Sequence, residues 1–243
     1  MKIAILSVAL LTFLSISSCG NKTDLSSNHY IIKEDKIVDF SIGDNKEIFT
    51  CANGYQNPYP FNCIWTSDAI SVEDGKLNIT LFENDQTVFS GEYRSKRNEF
   101  HYGYYETRMK MARCSGTISS FFTYTNRPVW DEIDIEFLGK NFEQVQFNYY
   151  TNGVGGHEFL YNLGFDATME FHNYGFDWQS DRISWFVDGE LVYTATSDIP
   201  SHPQQIMANL WNCLGHDEWS GKFNPNDLPV KAQYEYIAYQ PNK

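Results

Sequence analysis

The sequence predicts an all-β domain built as an antiparallel sandwich, and three observations predict it. Short runs that alternate apolar and polar residues recur from about residue 37 onward, broken by Gly, Asn, Asp and Pro. No stretch keeps a 3.6-residue apolar period over three helical turns. Strands joined by turn-rich links, with no helices to act as crossovers, pack as two antiparallel sheets.

The chain opens on a different kind of segment. Lys2 precedes an apolar run from Ile3 to Leu14, followed by small residues and Cys19. That run is too short to span a bilayer and has the length of a signal h-region. "LSISSCG" also resembles a bacterial lipoprotein box, in which Cys19 would carry the lipid. The expectation is therefore an export signal over residues 1–19, with secretion and lipid anchoring at Cys19 both open. Residues 20–36 are polar and read as a tether, and residues 37–243 read as one domain. About 220 residues after the signal suffice for a single substantial core.

Within the domain, "KLNITLF" (76–82) alternates Leu77, Ile79 and Leu81 against Lys76, Asn78 and Thr80. "YGYYETRMKM" (102–111), "ISWFVDGELVYTA" (183–195) and "AQYEYIAY" (232–239) follow the same rule. Asp188-Gly189 marks a hairpin turn inside the third of these four runs. No linker, repeat or low-complexity tract divides the domain.

Composition narrows the ligand class. With 31 acidic against 18 basic residues the net charge is −13, which repels nucleic acid, and no Arg/Lys patch opposes it. Six Trp and 16 Tyr carry polar atoms that a dry core must satisfy. Many of them are expected to line a wet groove, where flat sugar faces stack on such rings. Cys51, Cys63, Cys114 and Cys213 allow three disulfide pairings, among which sequence does not choose. There is no Cys-x-x-Cys or His-Glu-x-x-His pattern to suggest a metal or redox centre.

The segment "VWDEIDIEFLG" (129–139) carries the chemistry. Read as a strand, it points Trp130, Glu132, Asp134 and Glu136 one way, and Asp131, Ile133, Ile135 and Phe137 the other. Ile133, Ile135 and Phe137 fit a core, which leaves three carboxylates and a tryptophan on the opposite face. Like charges this dense destabilise a sheet, and calcium sites draw their oxygens largely from flexible loops. Glycoside cleavage explains the pattern better. It needs one carboxylic acid to protonate the leaving oxygen and one carboxylate to attack the sugar or activate water. Mutual repulsion raises one pKa, so that one group keeps its proton while the other is charged. Spacing leaves the stereochemistry open: four residues of strand span ~13 Å, against ~5–5.5 Å for a retaining pair and ~6.5–9.5 Å for an inverting one.

"DEIDIEFLG" resembles the active-site signature of glycoside hydrolase family 16, in its regular Glu-x-Asp-x-Glu form. "SSFFTYT" (119–125), "VQFNYYTNGVGGHE" (145–158), "LGFDAT" (163–168), "YGFDW" (174–178) and "NLWN" (209–212) are similar to its lichenase members. The likeness runs from about residue 37 to 240. It implies a β-jelly roll whose concave sheet holds a β-glucan, acting as a monomer with no cofactor for catalysis. It also implies Glu132 as nucleophile, Glu136 as acid and then base, and Asp134 as auxiliary acid. Retaining hydrolysis of β-1,4 bonds in mixed-linkage β-1,3-1,4-glucan is the implied reaction. A β-1,3-glucanase, a transglycosylase and a non-catalytic glucan-binding module are the rivals.

"GEYRS" matches the stretch that supplies Glu92 and Arg94 as sugar partners, although such a pair read blind is more often a structural ion pair. Phe122, Tyr124 and Trp130 match groove aromatics; Asn148 with Tyr150, and Asn209 with Trp211, form i, i+2 pairs on a face. His157 lies in a matching block and reads as structural. The chain also departs from the family. Ser90 stands where lichenases place the disulfide partner of the cysteine in "FNC-x-W", here Cys63. "TNRPV" (125–129) is short and lacks Gly, and "NCLGHDEW" (212–219) replaces Asn-Gly-Thr-Gly. Gly75 and Glu235 stand where relatives hold a structural calcium, with Glu in place of the usual Asp.

Overall fold

The structure is a computed structural model and describes residues 36–242. The proposed signal, Cys19 and the tether lie outside the described residues, except that Lys36 already belongs to the first strand. The chain runs through β1 (Lys36–Asp39), β2 (Phe49–Cys51), β3 (Ile64–Trp65), β4 (Ile70–Glu73), β5 (Lys76–Asn84) and β6 (Thr87–Ser90). It continues as β7 (Glu92–Ser95), β8 (Gly103–Lys110), β9 (Thr117–Tyr124), β10 (Glu132–Leu138), β11 (Gln144–Tyr150) and β12 (Phe159–Asn162). The remainder is β13 (His172–Trp178), β14 (Ile183–Val187), β15 (Glu190–Ala195), β16 (Gln205–Asn212), one turn of helix α1 (Asp217–Ser220), and β17 (Val230–Pro241).

These strands form the two packed sheets of a jelly-roll sandwich. One holds seven strands in the order β12-β11-β10-β9-β16-β7-β2. The other runs β15-β14-β13-β8-β17-β5-β6-β3, with β1 on β17 and β4 on β5. All pairings are antiparallel except the short β3–β6 contact. Each of the four alternating runs is a strand or hairpin. Asp188 and Gly189 both take positive φ, 50° and 82°, as a two-residue hairpin turn of the twisted type requires.

The core lies between the sheets, and alternation decides what enters it. Ile133, Ile135 and Phe137 of β10 are fully buried, against Phe121 of β9, Phe147 of β11 and Trp185 of β14. The expectation that many Trp and Tyr line a groove holds for few of them. Trp65, Trp178, Trp185, Tyr93, Tyr105, Tyr174 and Tyr234 are among the largest fully buried side chains. Backbone acceptors on the opposing elements make this tolerable for several. Trp178 Nε1 donates to Pro200 O at 2.9 Å, and Trp185 Nε1 to Asp134 O at 3.1 Å. Tyr234 Oη donates to Ser120 O at 2.9 Å. Of the six tryptophans, only Trp130 and Trp219 remain half-buried on the groove side.

All four described cysteines are free thiols. Where the family resemblance implies a disulfide partner for Cys63, the Ser90 hydroxyl instead donates to Leu210 O. Burial pushes the Cys63 thiol up to about 12 and the Cys114 thiol to about 11, so neither is a nucleophile at neutral pH.

Asp131, the acid on the far side of β10, is fully buried and ties three segments together. Its Oδ1 accepts from Asn152 N at 2.8 Å. Its Oδ2 accepts from Ser201 N at 3.0 Å and His202 N at 3.1 Å, with His202 Nδ1 at 2.9 Å. Burial alone would raise its pKa, but these bonds outweigh it and leave the carboxyl below its ordinary range. Asp131→Ala should therefore destabilise the fold by roughly 3 kcal/mol, or about 6–12 °C in Tm, because several buried donors lose their acceptor. A depressed folded pKa means that this contribution is present above the unfolded value near 4 and is lost as pH falls through the folded one. Thermal melts of the variant at pH 7 and at pH 3 check both points, and a melting point at pH 7 within 2 °C of wild type would contradict them.

Candidate active site

The register of the seven-stranded sheet assembles the site. On β10, Glu132 sits between Tyr150 and Tyr124, Asp134 between Asn148 and Phe122, and Glu136 between Gln146 and Ser120. The rows continue across β16 and β7. Tyr124 meets Gln205, Phe122 meets Met207 and then Arg94, and Ser120 meets Asn209 and then Glu92. The row from Glu92 to Gln146 thus crosses five strands, roughly 19 Å at the usual spacing. Every groove residue expected on β7, β9, β10, β11 and β16 falls on this one face.

Burial dominates the electrostatics of the three acids. Asp134 lies well above the usual carboxylate range because it is buried, faces Glu132 and Glu136, and feels Glu158. A side-chain hydrogen bond between Asp134 and Glu132 favours the proton on Asp134 and the charge on Glu132. Glu132 is raised by burial to about 7, and would stand higher without the Trp130 and Asp134 hydrogen bonds. Glu136 is raised by burial and by the charge of Glu132 to about 8, against the lowering effect of Gln146. The arrangement separates one more readily ionised carboxylate from two that keep their protons.

Trp130 reaches Glu132 by a different route from the one expected. It is not part of the strand, which begins at Glu132; its φ is +50° and its carbonyl accepts from Gly153 N at 2.8 Å. From that turn its Nε1 donates to Glu132 Oε2 at 2.7 Å. One ring face stacks on Tyr150, with centroids 4.8 Å apart and planes 14° from parallel, and the Arg127 guanidinium lies over the ring at 4.5 Å. Trp130 therefore serves as a hydrogen-bond donor to the carboxylate rather than as an open stacking platform.

Glu136 has its own support, which the sequence reading missed. Gln146 Nε2 donates to Glu136 Oε2 at 2.9 Å, and Trp219 Nε1 donates to Gln146 Oε1 at 3.0 Å. The indole N–H can meet only the amide oxygen, so Trp219 fixes which end of Gln146 faces the acid. Gln146 continues the i, i+2 series of Asn148 and Tyr150, a signal that was available; nothing local pointed to Trp219. Gln146→Leu should raise the pKa of Glu136 by removing a donor to its charged form. The alkaline limb of kcat/KM should then move to higher pH, and an unmoved or lowered limb in a pH–rate profile would contradict this.

At the β7 end, Arg94 Nη1 lies 3.3 Å from Glu92 Oε1, and Asn209 Nδ2 donates to Glu92 Oε2 at 3.4 Å. Ser120 Oγ donates to Asn209 Oδ1 at 2.5 Å, and the Arg94 guanidinium lies 6.0 Å from the ring centre of Tyr55, a further residue not anticipated. The Glu92–Arg94 ion pair is thus real and also belongs to the groove. Asn148 Oδ1, beside Asp134, is buried with no hydrogen-bond partner among the described residues. Trp211 is 5% exposed because Phe61 stacks on it at 3.9 Å and Trp219 packs at 6.1 Å, so little of its ring faces the groove. His157 has the structural role expected: Nδ1 meets Tyr149 O at 2.9 Å and its ring stacks on Tyr149.

The two residues matched to calcium lie on the other sheet. Glu235 accepts from Arg108 Nε at 2.8 Å through its carboxylate and from Phe40 N at 3.1 Å through its carbonyl. Gly75 forms the β4–β5 turn with φ +72°. No group of three or more His, Cys, Asp or Glu among the described residues could hold a metal, so the calcium expectation rests on the family resemblance.

A jelly-roll groove with three aligned, proton-sharing carboxylates defines a glycoside-cleaving enzyme, and the chain belongs to the glycosyl hydrolases family 16, whose family pattern matches residues 57–236. It is 51% identical over 203 residues to a beta-glucanase of Paenibacillus polymyxa, covering 82% of this chain and 84% of that one. Among solved structures, a Bacillus licheniformis beta-glucanase superposes with a TM-score of 0.81 at 45% identity, covering 84% of this chain and 97% of that one. A prokaryotic β-1,3-1,4-glucanase (lichenase) from a mouse hindgut metagenome gives 0.80 at 44% identity, covering 84% and 98%.

Proposed function

We propose that this enzyme cuts β-1,4 bonds within mixed-linkage β-1,3-1,4-glucans by double displacement with retention. The carrying observation is the row of three carboxylates on one face of β10, with Glu132 held by the Trp130 N–H and Glu136 by Gln146, all of them raised by burial. In the first step the Glu132 carboxylate attacks the anomeric carbon while Glu136 gives its proton to the departing glycosidic oxygen. In the second, Glu136, now a carboxylate, takes a proton from water as the water oxygen displaces Glu132. Asp134 keeps its proton and directs it at Glu132, which disfavours protonation of the nucleophile. Glu92, Arg94 and Asn209 offer hydrogen bonds to hydroxyls on one side of the scissile bond, with Tyr124 and Phe122 beneath. Asn148 and Tyr150 serve the other side.

The similarity to a β-1,3-1,4-glucanase at 44% identity supports this linkage choice. The β-1,3-glucan reading keeps one specific support, the altered rim, where Leu214 is 52% exposed beside the groove. Reducing-end release from barley β-glucan, curdlan, carboxymethylcellulose and xyloglucan separates them. Barley glucan should be cleaved, with chain-shortening ahead of small sugars; cleavage of curdlan alone would overturn the substrate. Binding to a glucan without release from any substrate would overturn catalysis.

Export, a monomeric state, lipid anchoring and a structural calcium belong to the same reading. The enzyme is exported and acts as a monomer, with palmitate labelling of wild type against Cys19→Ala as the check on lipid anchoring; label that survives the substitution excludes Cys19. A structural calcium near Gly75 and Glu235 should raise Tm when added after EDTA, and an unchanged melt removes it.

A further inference from the structure

Arg127 lies in a segment, "TNRPV", that departs from the family pattern and sits beside the nucleophile's indole partner. It lies in the short loop between β9 and β10, is exposed, and stacks its guanidinium over Trp130 at 4.5 Å. The same indole is backed by Tyr150 on its other side and bonded to Glu132. Tyr150 belongs to β11, so Arg127 covers the opposite face of the indole, and its charge acts on Tyr124 of β9. The guanidinium is therefore one indole ring away from Glu132, towards Tyr124 and β9. Arg127 has no hydrogen bond or ion pair among the described residues, and the ring contact is its side-chain partner.

A guanidinium held over a ring by cation–π attraction still has five N–H donors in its own plane, and none of these is taken by a protein partner among the described residues. Buried sugar hydroxyls require partners, and an immobilised donor costs little further ordering when it meets one. An anionic sugar would suit the arginine but would meet Glu132, Asp134 and Glu136 as well, and the chain carries a net charge of −13. The neutral hydroxyl is the ligand that both sets of groups accept.

We propose that Arg127 is a substrate-binding residue, held in place by Trp130, which donates to a hydroxyl of the glucose chain on the β9 side of Glu132. This rests on the β-glucanase reading above. The sandwich of Arg127, Trp130 and Tyr150 then has two functions: the indole N–H serves the nucleophile, and the guanidinium edge serves the sugar.

The test compares Arg127→Ala and Arg127→Lys with wild type. Binding of a β-1,3-1,4-linked glucose tetrasaccharide is measured by calorimetry in the inactive Glu132→Gln background, and kcat, KM and pH profiles in the active one. Loss of a charge-assisted hydrogen bond should weaken binding and lower kcat/KM about tenfold in Arg127→Ala, with Tm unchanged because the side chain is exposed. Arg127→Lys should recover little, since it keeps the charge but not the planar fork. Binding and kcat/KM within twofold of wild type would overturn the proposal. So would unchanged binding with an acidic limb moved to higher pH, which would make Arg127 only a support for Trp130. If wild type itself neither binds nor cleaves any glucan, the functional reading fails first, and with it this proposal.

Discussion

Glu132→Ala is expected to lose on the order of 10⁴-fold or more in kcat on barley β-glucan, and azide is expected to restore turnover. The substitution removes the carboxylate that Trp130 and Asp134 hold in place, and leaves a space bounded by Tyr124 and Tyr150. A small anion can enter it and attack the anomeric carbon from the nucleophile's side. Glu136 remains, held by Gln146, and still protonates the leaving oxygen. One displacement instead of two inverts the centre, so the product should be an α-glycosyl azide, identifiable by NMR. Hydrolysis by the variant at the wild-type rate would refute the nucleophile assignment. Azide without effect, together with loss of all activity, would remove the support for double displacement.

The sequence carried the fold and the catalytic strand for one physical reason: a period of two residues separates faces. Ile133, Ile135 and Phe137 enter the core because they alternate with Glu132, Asp134 and Glu136. The same rule placed Phe122 with Tyr124 and Asn148 with Tyr150, before any pairing partner was known. It failed where contacts are made across distant segments. Trp185 enters the core because the carbonyl of Asp134, 51 residues away, accepts its N–H. Trp219 acts on Glu136 through Gln146, 73 residues away. Alternation turned Asp131 away from the groove but gave it no role, and its backbone partners at 152, 201 and 202 make it the anchor of the catalytic strand. Trp130 was placed beside Glu132, but on a strand it does not join, because alternation cannot foresee a residue at φ +50°.

These long-range contacts are also what make the acid strand tolerable. Three like charges along one face would destabilise an open sheet. Here burial keeps Asp134 protonated and raises the other two, so near neutrality few of them are charged together. The donors are distributed unequally. Glu132 receives the Trp130 N–H and the Asp134 proton, whereas Glu136 receives one Gln146 N–H and also faces the charge of Glu132. A common burial cost is thereby converted into two different protonation states.

That division makes Glu136→Ala the sharpest counterpart to Glu132→Ala. Loss of the general acid should cost about 10²–10⁴-fold on glucan, whose leaving sugar needs a proton. A 2,4-dinitrophenyl glycoside needs none, so its first step should be nearly unaffected, and the glycosyl-enzyme on Glu132 should accumulate for want of a base. Azide then attacks that intermediate, and two displacements return a β-glycosyl azide, opposite in configuration to the product from Glu132→Ala. The pH dependence follows the same logic. Glu132, raised to about 7, must be ionised, so activity rises with pH through that value. Glu136, raised to about 8, must hold its proton, so activity falls as pH rises further. In Glu136→Ala acting on the activated glycoside, the alkaline limb should vanish while the acidic limb remains. An alkaline limb that persists in the variant, or an α-azide from it, would mean that the acid is another group and that the roles on β10 are assigned wrongly.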